Sequence, residues 1–333
     1  MIQQKQIAER AGVSYATVSR ALTHSAKVKP ETLARIRKAM EELGITNVDD
    51  LFLGRSSLSK MVLVVVCDIL KEFMAIIVQE IYRQLYAKGY SISLCISGLD
   101  ADMELSCMRN AVENGYAGII MVTAVETPAL VSFIQNSKIP VVMVNRYISA
   151  LDLDVVRIDN YRGGYIAGKY LLDKGHRRIA VLSGPKNSSA AYDRVRGFTA
   201  AMKDNLIPFS ESDVMFGDLL RGSGRLFAKE MLSNNYTATF IINNAMTVGA
   251  VHELQKQGKQ IPQDISFICF DDSSLVNEDG LNITSISGDP HLMGTTTADI
   301  LLERIDNPLG EHRRIIYSPH LTECGSVQDL MID

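Results

Sequence analysis

The feature that most limits the fold is an alternation that begins at Met61. Apolar, β-rich runs (MVLVVVCD, SISLCIS, AGIIMVT, PVVMVN, RIAVLSG, ATFIINN and ISFICFDD) are separated by amphipathic stretches of helical period. A strand that is apolar at consecutive positions is buried on both faces, and the intervening helices cover those faces. The alternation therefore predicts doubly wound α/β sheets with parallel strands. It recurs before and after residue 159, which predicts two lobes. Ligands of such sheets bind outside the carboxyl ends of the strands, so the expected pocket is a cleft between the lobes.

The first 46 residues follow a different pattern. Ile7, Ala8 and Ala11 share one helical face, and Gly12 stops that helix because glycine accepts the left-handed conformation required after a C-terminus. Ser14 restarts a helix as its N-cap, with Val18, Ala21 and Leu22 inward and Tyr15, Ala16, Ser19 and Arg20 on or near the opposite side. Two short helices joined by a Gly-Val-Ser turn make a helix-turn-helix. A third helix is signalled by Pro30 in its first turn and by Leu33, Ile36, Met40 and Leu43 at helical spacing. This all-α, three-helix head fits a DNA reader, and periodicity alone equally allows an ordinary three-helix bundle. Charge favours the first reading: residues 1–46 carry eight bases against four acids, although the whole chain has a formal charge of −4. A basic head on an acidic body suits phosphate contacts, and a solvated basic face is the alternative.

Several classes find no support. The five cysteines (Cys67, Cys95, Cys107, Cys269 and Cys324) lack the paired short spacings of a zinc site and read as reduced, mostly buried thiols. The six histidines show no HExxH spacing. GSGRLF at Gly222 lacks the third glycine of a dinucleotide fingerprint and follows no clear apolar strand. No cofactor, metal or catalytic residue is expected. There is no run of about 18 apolar residues and no apolar core of a secretory signal, so the expectation is a cytoplasmic protein with no membrane partner. A secreted solute-binding protein would need the reverse features, a signal and no helix-turn-helix.

The run Ile7 to Arg20, IAERAGVSYATVSR, resembles the head of the lactose-repressor and galactose-repressor (LacI/GalR) family, which shares A-x-x-A-G-V-S-x-x-T-V-S-R. The resemblance continues through DILKEFMAIIV (Asp68 to Val78), VRIDNYRGGYIAGKYLLDKGHRRIAVLSGP (Val156 to Pro185), RVRGFTAAM (Arg194 to Met202) and FICFDD (Phe267 to Asp272). It implies a two-lobed, periplasmic-binding-protein-like effector domain behind a DNA-binding head. The implied division is a head at 1–46, a hinge at 47–59, a first lobe at 60–158 with 287–316, and a second lobe at 159–286 with 317–333. The implied activity is ligand-responsive repression, most often of a carbohydrate-utilisation operon. The implied partners are double-stranded operator DNA of pseudo-palindromic sequence, a sugar or sugar derivative, and a second copy of the chain, as a homodimer or a tetramer.

By the same resemblance Tyr15, Ala16 and Arg20 align with base-reading positions, Arg20 suiting guanine and Ala16 a thymine methyl. Ser14, Thr17 and Ser19 align with phosphate contacts, and Lys27 joins them as a base of the head. Leu53, in NVDDLFLG, aligns with a leucine that wedges into the minor groove. Asp49, Asp50 and Thr46 depart from the family pattern there, and a plain linker remains open. For the effector, Phe73 and Met74 align with apolar cleft walls. Asn145, Arg146, Asp159, Arg194, Asn243 and Asp271 align with polar contacts, and Tyr192 with a stacking position. Each polar one is alternatively a structural ion pair or a capped strand end. Cys324 and Asn145 stand where the family more often has arginine and aspartate, so the effector need not be a common hexose.

Overall fold

The computed structural model describes residues 2–23, 28–43, 59–122, 126–271, 282–308 and 310–331; the side chains of 2–5, 19, 20, 22, 23 and 41 lie outside that description. The chain forms two compact units, Met1–Ser59 and Lys60–Asp333.

In the first unit α1 (Ile2–Ala11), α2 (Tyr15–Thr23) and α3 (Pro30–Glu42) enclose a small core of Ile7, Ala8, Ala11, Val18, Ala21, Ile36, Ala39 and Met40. The inward faces read from periodicity meet there, with two differences. Helix α1 begins three residues before Lys5, and Leu43 is 37% exposed because α3 ends at Glu42 and carries it past the last turn. Ala39 and Met40 close the core in its place. Gly12 has φ +59°, as its role as a helix stop requires.

The second unit contains two six-stranded sheets. In the first, the order is β11 (Arg314–Tyr317), β5 (Asp154–Ile158), β4 (Val141–Val144), β3 (Tyr116–Met121), β1 (Ser59–Val66) and β2 (Ser91–Ile96). In the second it is β12 (His320–Thr322), β10 (Thr284–Ser287), β9 (Ser266–Phe270), β8 (Ala238–Ile241), β6 (Ile179–Ser183) and β7 (Val214–Phe216). Pairs such as β1 with β2 and β6 with β8 run parallel, in the register Val62↔Ile92 and Val181↔Phe240, whereas β12 runs antiparallel to β10. Val62 to Val66 are all nearly inaccessible, so the continuous apolar run is buried on both faces. The chain passes from the first sheet to the second after Ile158, returns after Ser287 through a helix that packs on the first sheet, and crosses again between Tyr317 and His320.

The helices are α4 (Glu72–Ala87), α5 (Ala101–Glu113), α6 (Pro128–Asn136), α7 (Asn160–Asp173), α8 (Ser189–Asp204), α9 (Arg221–Ser233), α10 (Asn244–Lys256) and α11 (Pro290–Asp306). Gly222 to Phe227 lie inside α9, so GSGRLF is helix and not a phosphate loop. Many of these helices start on a cap supplied by the loop leaving a strand: Asp100 for α5, Asp159 for α7, Ser188 for α8, Asn243 for α10 and Asp289 for α11. A short polar residue there accepts an otherwise unpaired helix N–H and fixes where the chain turns back. Helices α7 and α8 cross closely because Gly164 and Gly197 face the other backbone: a Cβ on Gly164 would lie 1.9 Å from the Arg194 carbonyl oxygen. That approach sets the position of the segment that carries Arg194.

Candidate functional site

In the first unit the turn between α1 and α2 is built by side chains. Ser14 Oγ accepts from Thr17 N at 3.1 Å and pairs with Thr17 Oγ1 at 2.8 Å, which caps α2. Arg35 Nη2 donates to the carbonyls of Ala11 at 2.5 Å and Gly12 at 3.0 Å, tying α3 to the turn. Arg10 Nε donates to Glu42 Oε2 at 2.8 Å, and this contact holds the Glu42 carboxyl below its ordinary pKa. Two of the eight bases of the head therefore stabilise its fold, and Lys29, Arg37 and Lys38 are exposed. Ser14, Tyr15 and Ala16 are exposed and Thr17 half-buried at the start of α2, where the helix dipole favours an anion. Ser19 and Arg20 lie on α2, but their side chains are outside the described residues, as are Lys27, Leu53 and the whole of 47–54.

In the second unit Arg194 is the centre of a built site. It is 5% exposed on α8, and its guanidinium is divided among three acceptors: Nε to Asn160 Oδ1 at 2.8 Å, Nη1 to the Ile242 carbonyl at 2.6 Å and Nη2 to Asp271 Oδ1 at 3.5 Å. Its plane rests on Phe270, 3.4 Å from the ring centroid. Burial pushes the Asp271 carboxyl above its ordinary pKa against the pull of Arg194 and Lys71. Burial also lowers Arg194, and Arg146 adds to that, yet an arginine stays charged at neutral pH. Arg146 and Lys71 come from the other lobe, so charges of both lobes meet here.

The first lobe supplies Asn145 and Arg146 at the carboxyl end of β4. Both are buried, and among the described residues Asn145 Oδ1 and Arg146 Nε have no hydrogen-bond partner. Burial depresses the Arg146 pKa, partly offset by Cys67 and Glu104. Phe73 and Met74 are buried in the first turn of α4, in one apolar cluster with Val66, Ile158 and Phe270. A bridge also joins the lobes: Asp193 of α8 accepts from Tyr147 Oη at 3.3 Å and from Arg157 Nη1 at 3.5 Å, with Arg157 over the Tyr147 ring.

Three expected effector contacts are engaged within the protein or point away from Arg194, and their contact with an effector stays a proposal. Asp159 caps α7 by accepting from Arg162 N at 2.9 Å. Asn243 caps α10 through Oδ1 and donates Nδ2 to the Leu219 carbonyl, so both ends of its amide are engaged. Tyr192 is 58% exposed and lines a different cavity, because two residues along a helix is about 200° around its axis. Conversely, Asn160, Phe270, Lys71 and the Tyr147–Arg157–Asp193 bridge were not anticipated. Phe270 stands next to Asp271 at the end of an apolar strand, which was the available signal; the others meet partners 34 or more positions away.

Two family descriptions match the chain. "Bacterial regulatory proteins, lacI family" matches residues 4–46, and "Periplasmic binding proteins and sugar binding domain of LacI family" matches 59–324. Among curated proteins, the HTH-type transcriptional repressor PurR of Klebsiella pneumoniae (strain 342) is 28% identical over 329 residues, covering 98% of this chain and 96% of the relative. Among solved structures, a complex of the transcriptional regulator CelR with cellobiose is 26% identical with a TM-score of 0.74, covering 97% of this chain and 99% of the other. A LacI family transcriptional regulator from Enterococcus faecium with bound ribose is 27% identical with a TM-score of 0.73, over 81% of this chain and 99% of the other.

Proposed function

Because the chain belongs to the LacI family of bacterial regulatory proteins, we infer that it is a transcriptional repressor whose hold on operator DNA is set by a small effector bound between its lobes. The observation that carries this reading is the presence, in one chain, of a capped helix-turn-helix with an outward N-terminus and of a two-lobed body holding a buried Arg194–Asp271 pair. Ser14, Thr17, Ser19 and Lys27 contact phosphates, Tyr15, Ala16 and Arg20 read base edges, and Leu53 enters the minor groove. Two heads of a homodimer read a pseudo-palindrome.

The effector is a polyhydroxylated molecule, a sugar or sugar derivative. The Arg194 fork donates and Asp271 accepts from adjacent hydroxyls in a fixed geometry. Asn145 Oδ1 accepts and Arg146 donates from the other lobe, while Phe73, Met74 and Phe270 offer apolar walls. The complexes of similar proteins with cellobiose and ribose support the same class. Effector binding joins the lobes and changes the head's affinity through that closure. The protein acts as a regulator and not as an enzyme, in the cytoplasm where its operator lies. Among the described residues no helix is long and apolar enough to cross a membrane.

The test is a pair of titrations on the full chain. Binding to a palindromic operator is expected to exceed binding to random DNA by about a thousandfold or more and to weaken steeply with salt. A panel of sugars, sugar acids and polyols is expected to contain a compound that raises Tm of the wild type and not of Arg194→Met. No operator preference at low salt would overturn the repressor reading. A panel hit that stabilises Arg194→Met equally would overturn the assigned effector site.

A further inference from the structure

The cavity that Tyr192 lines has about 440 Å³ of space, within the range of about 300–1,000 Å³ typical of small-molecule sites. It lies between α8 and the edge strand β7, within the second lobe. Tyr192, Val195 and Thr199 are spaced by three and four along α8 and form one wall; Phe209, Val214 and Phe216 form the other. The second wall is anchored in the core, since Phe209 packs on the fully buried Phe198 with ring centroids 5.3 Å apart. None of the cleft residues Asn145, Arg146, Arg194 and Asp271 lines it.

The rim carries one cation and one anion. Lys186 Nζ lies 4.6 Å from the Phe216 ring centroid and donates to Glu211 Oε1 at 3.2 Å. Both partners are largely exposed, with side chains 69% and 82% accessible. Such solvent-exposed pairs are weak, so the ammonium exchanges its partner easily. Aromatic side chains on both walls favour a flat π-system, and the ammonium at the mouth favours an acidic group on it.

We propose that this cavity is a second small-molecule site, distinct from the cleft, that takes a flat aromatic molecule bearing one carboxylate, sulfonate or phosphate. The rings enter between Tyr192, Phe209 and Phe216, and the anion replaces Glu211 at Lys186. The reading does not depend on the effector assigned to the cleft, because the two sites share no residue.

The probe is anilinonaphthalene sulfonate, which fluoresces when its rings leave water. Titrated into the folded full chain, it is expected to saturate at one molecule per chain. Lys186→Met should weaken it several-fold, Tyr192→Ala likewise, and Thr199→Trp, which fills the cavity, by tenfold or more. Asp271→Asn, in the cleft, should leave probe affinity unchanged. The two rim variants alter exposed side chains and keep the fold, which unchanged circular dichroism checks, so they decide the matter even where Thr199→Trp does not fold. Probe binding that never saturates, that is equal in wild type and both rim variants, or that is lost in Asp271→Asn alone would overturn the proposal.

Discussion

Asn145 and Asp271 occupy matching places in the two lobes. Each follows a buried parallel strand, each has a left-handed backbone with φ of 70° and 71°, and each donates its N–H to the next strand, to Val156 O at 2.8 Å and Ile286 O at 2.9 Å. Asn and Asp tolerate that conformation better than most residues, so local structure fixes both side chains at the strand ends. Their surroundings then diverge. Asp271 meets Arg194, which is also held by Asn160, Ile242 and Phe270, and that half of the site is complete within its own lobe. Asn145 and Arg146 present a bare acceptor and a bare donor. One lobe is built in advance; the other has polar groups that a ligand must satisfy. Stability and binding should therefore respond oppositely to changes in the two halves.

The largest effect is expected from Arg194→Ala. It strands a buried carboxylate and removes the partner of Asn160 and of the Ile242 carbonyl. Loss of one member of a buried pair costs about 3–5 kcal/mol, to be read from urea unfolding. A cost below about 1 kcal/mol would mean that the second lobe is no more preorganised than the first. Gly164→Ala reaches the same site from behind. With a Cβ placed 1.9 Å from the Arg194 carbonyl oxygen, α7 must move away from α8, at a cost of about 1–3 kcal/mol. Effector affinity should fall with it, because the guanidinium moves with the backbone; unchanged affinity would detach Arg194 from the effector.

A pH series sharpens the contrast further, since buried carboxylates in the two lobes shift in opposite directions. Asp154, fully buried in the first lobe, is pushed up by burial. Hydrogen bonds from Arg304 Nε and Nη2 and from the Arg313 N–H outweigh that and hold it below its ordinary 3.8. Its contribution to stability is present above the unfolded value and is lost as pH falls through the lowered folded one. Asp271 is raised by burial, so its contribution is full below the unfolded value of 3.8 and declines as pH rises through the folded one. Relative to wild type, Asp154→Asn should flatten the acid limb of stability against pH. Asp271→Asn should instead remove a decline on the other side of 3.8. Identical slopes in wild type and both variants would contradict the opposed shifts.

How much of this was legible in the sequence depended on whether a residue's role was local. The Val62–Val66 run announced a strand buried on both faces, and Ser14 announced a helix cap, because neighbours in sequence set those roles. Strand β10, TSIS, escaped the apolar pattern, yet all four residues are buried, its hydroxyls engaged in part by Cys324 O and His320. Arg194 and Asp271 became visible through the family resemblance alone. Asp159 and Asn243 aligned with ligand positions and, as strand ends, equally allowed caps; the residue that ends a strand also begins a helix, and both side chains do cap one. Tyr192 and Arg194 diverge although they are close in sequence, because residues two positions apart lie about 200° from each other around a helix. Asn160 was silent because its meaning lies in a contact 34 residues away.

The smallest effect on stability, and the sharpest test of the comparison, is expected from Arg146→Met. Methionine keeps most of the stem's volume and removes a buried charge that has lost its water and gained no hydrogen bond at Nε. Burial destabilises that charge more than Cys67 and Glu104 stabilise it, so replacement by an apolar group of similar shape should leave the unfolding free energy read from urea within about 1 kcal/mol of wild type or raise it. Effector affinity should nevertheless drop by about tenfold or more, because a charge-assisted hydrogen bond contributes about 1.5–3 kcal/mol once a ligand completes it. A variant that unfolds as readily as Arg194→Ala would show that Arg146 is structural. The first lobe's half of the site would then be as prebuilt as the second's.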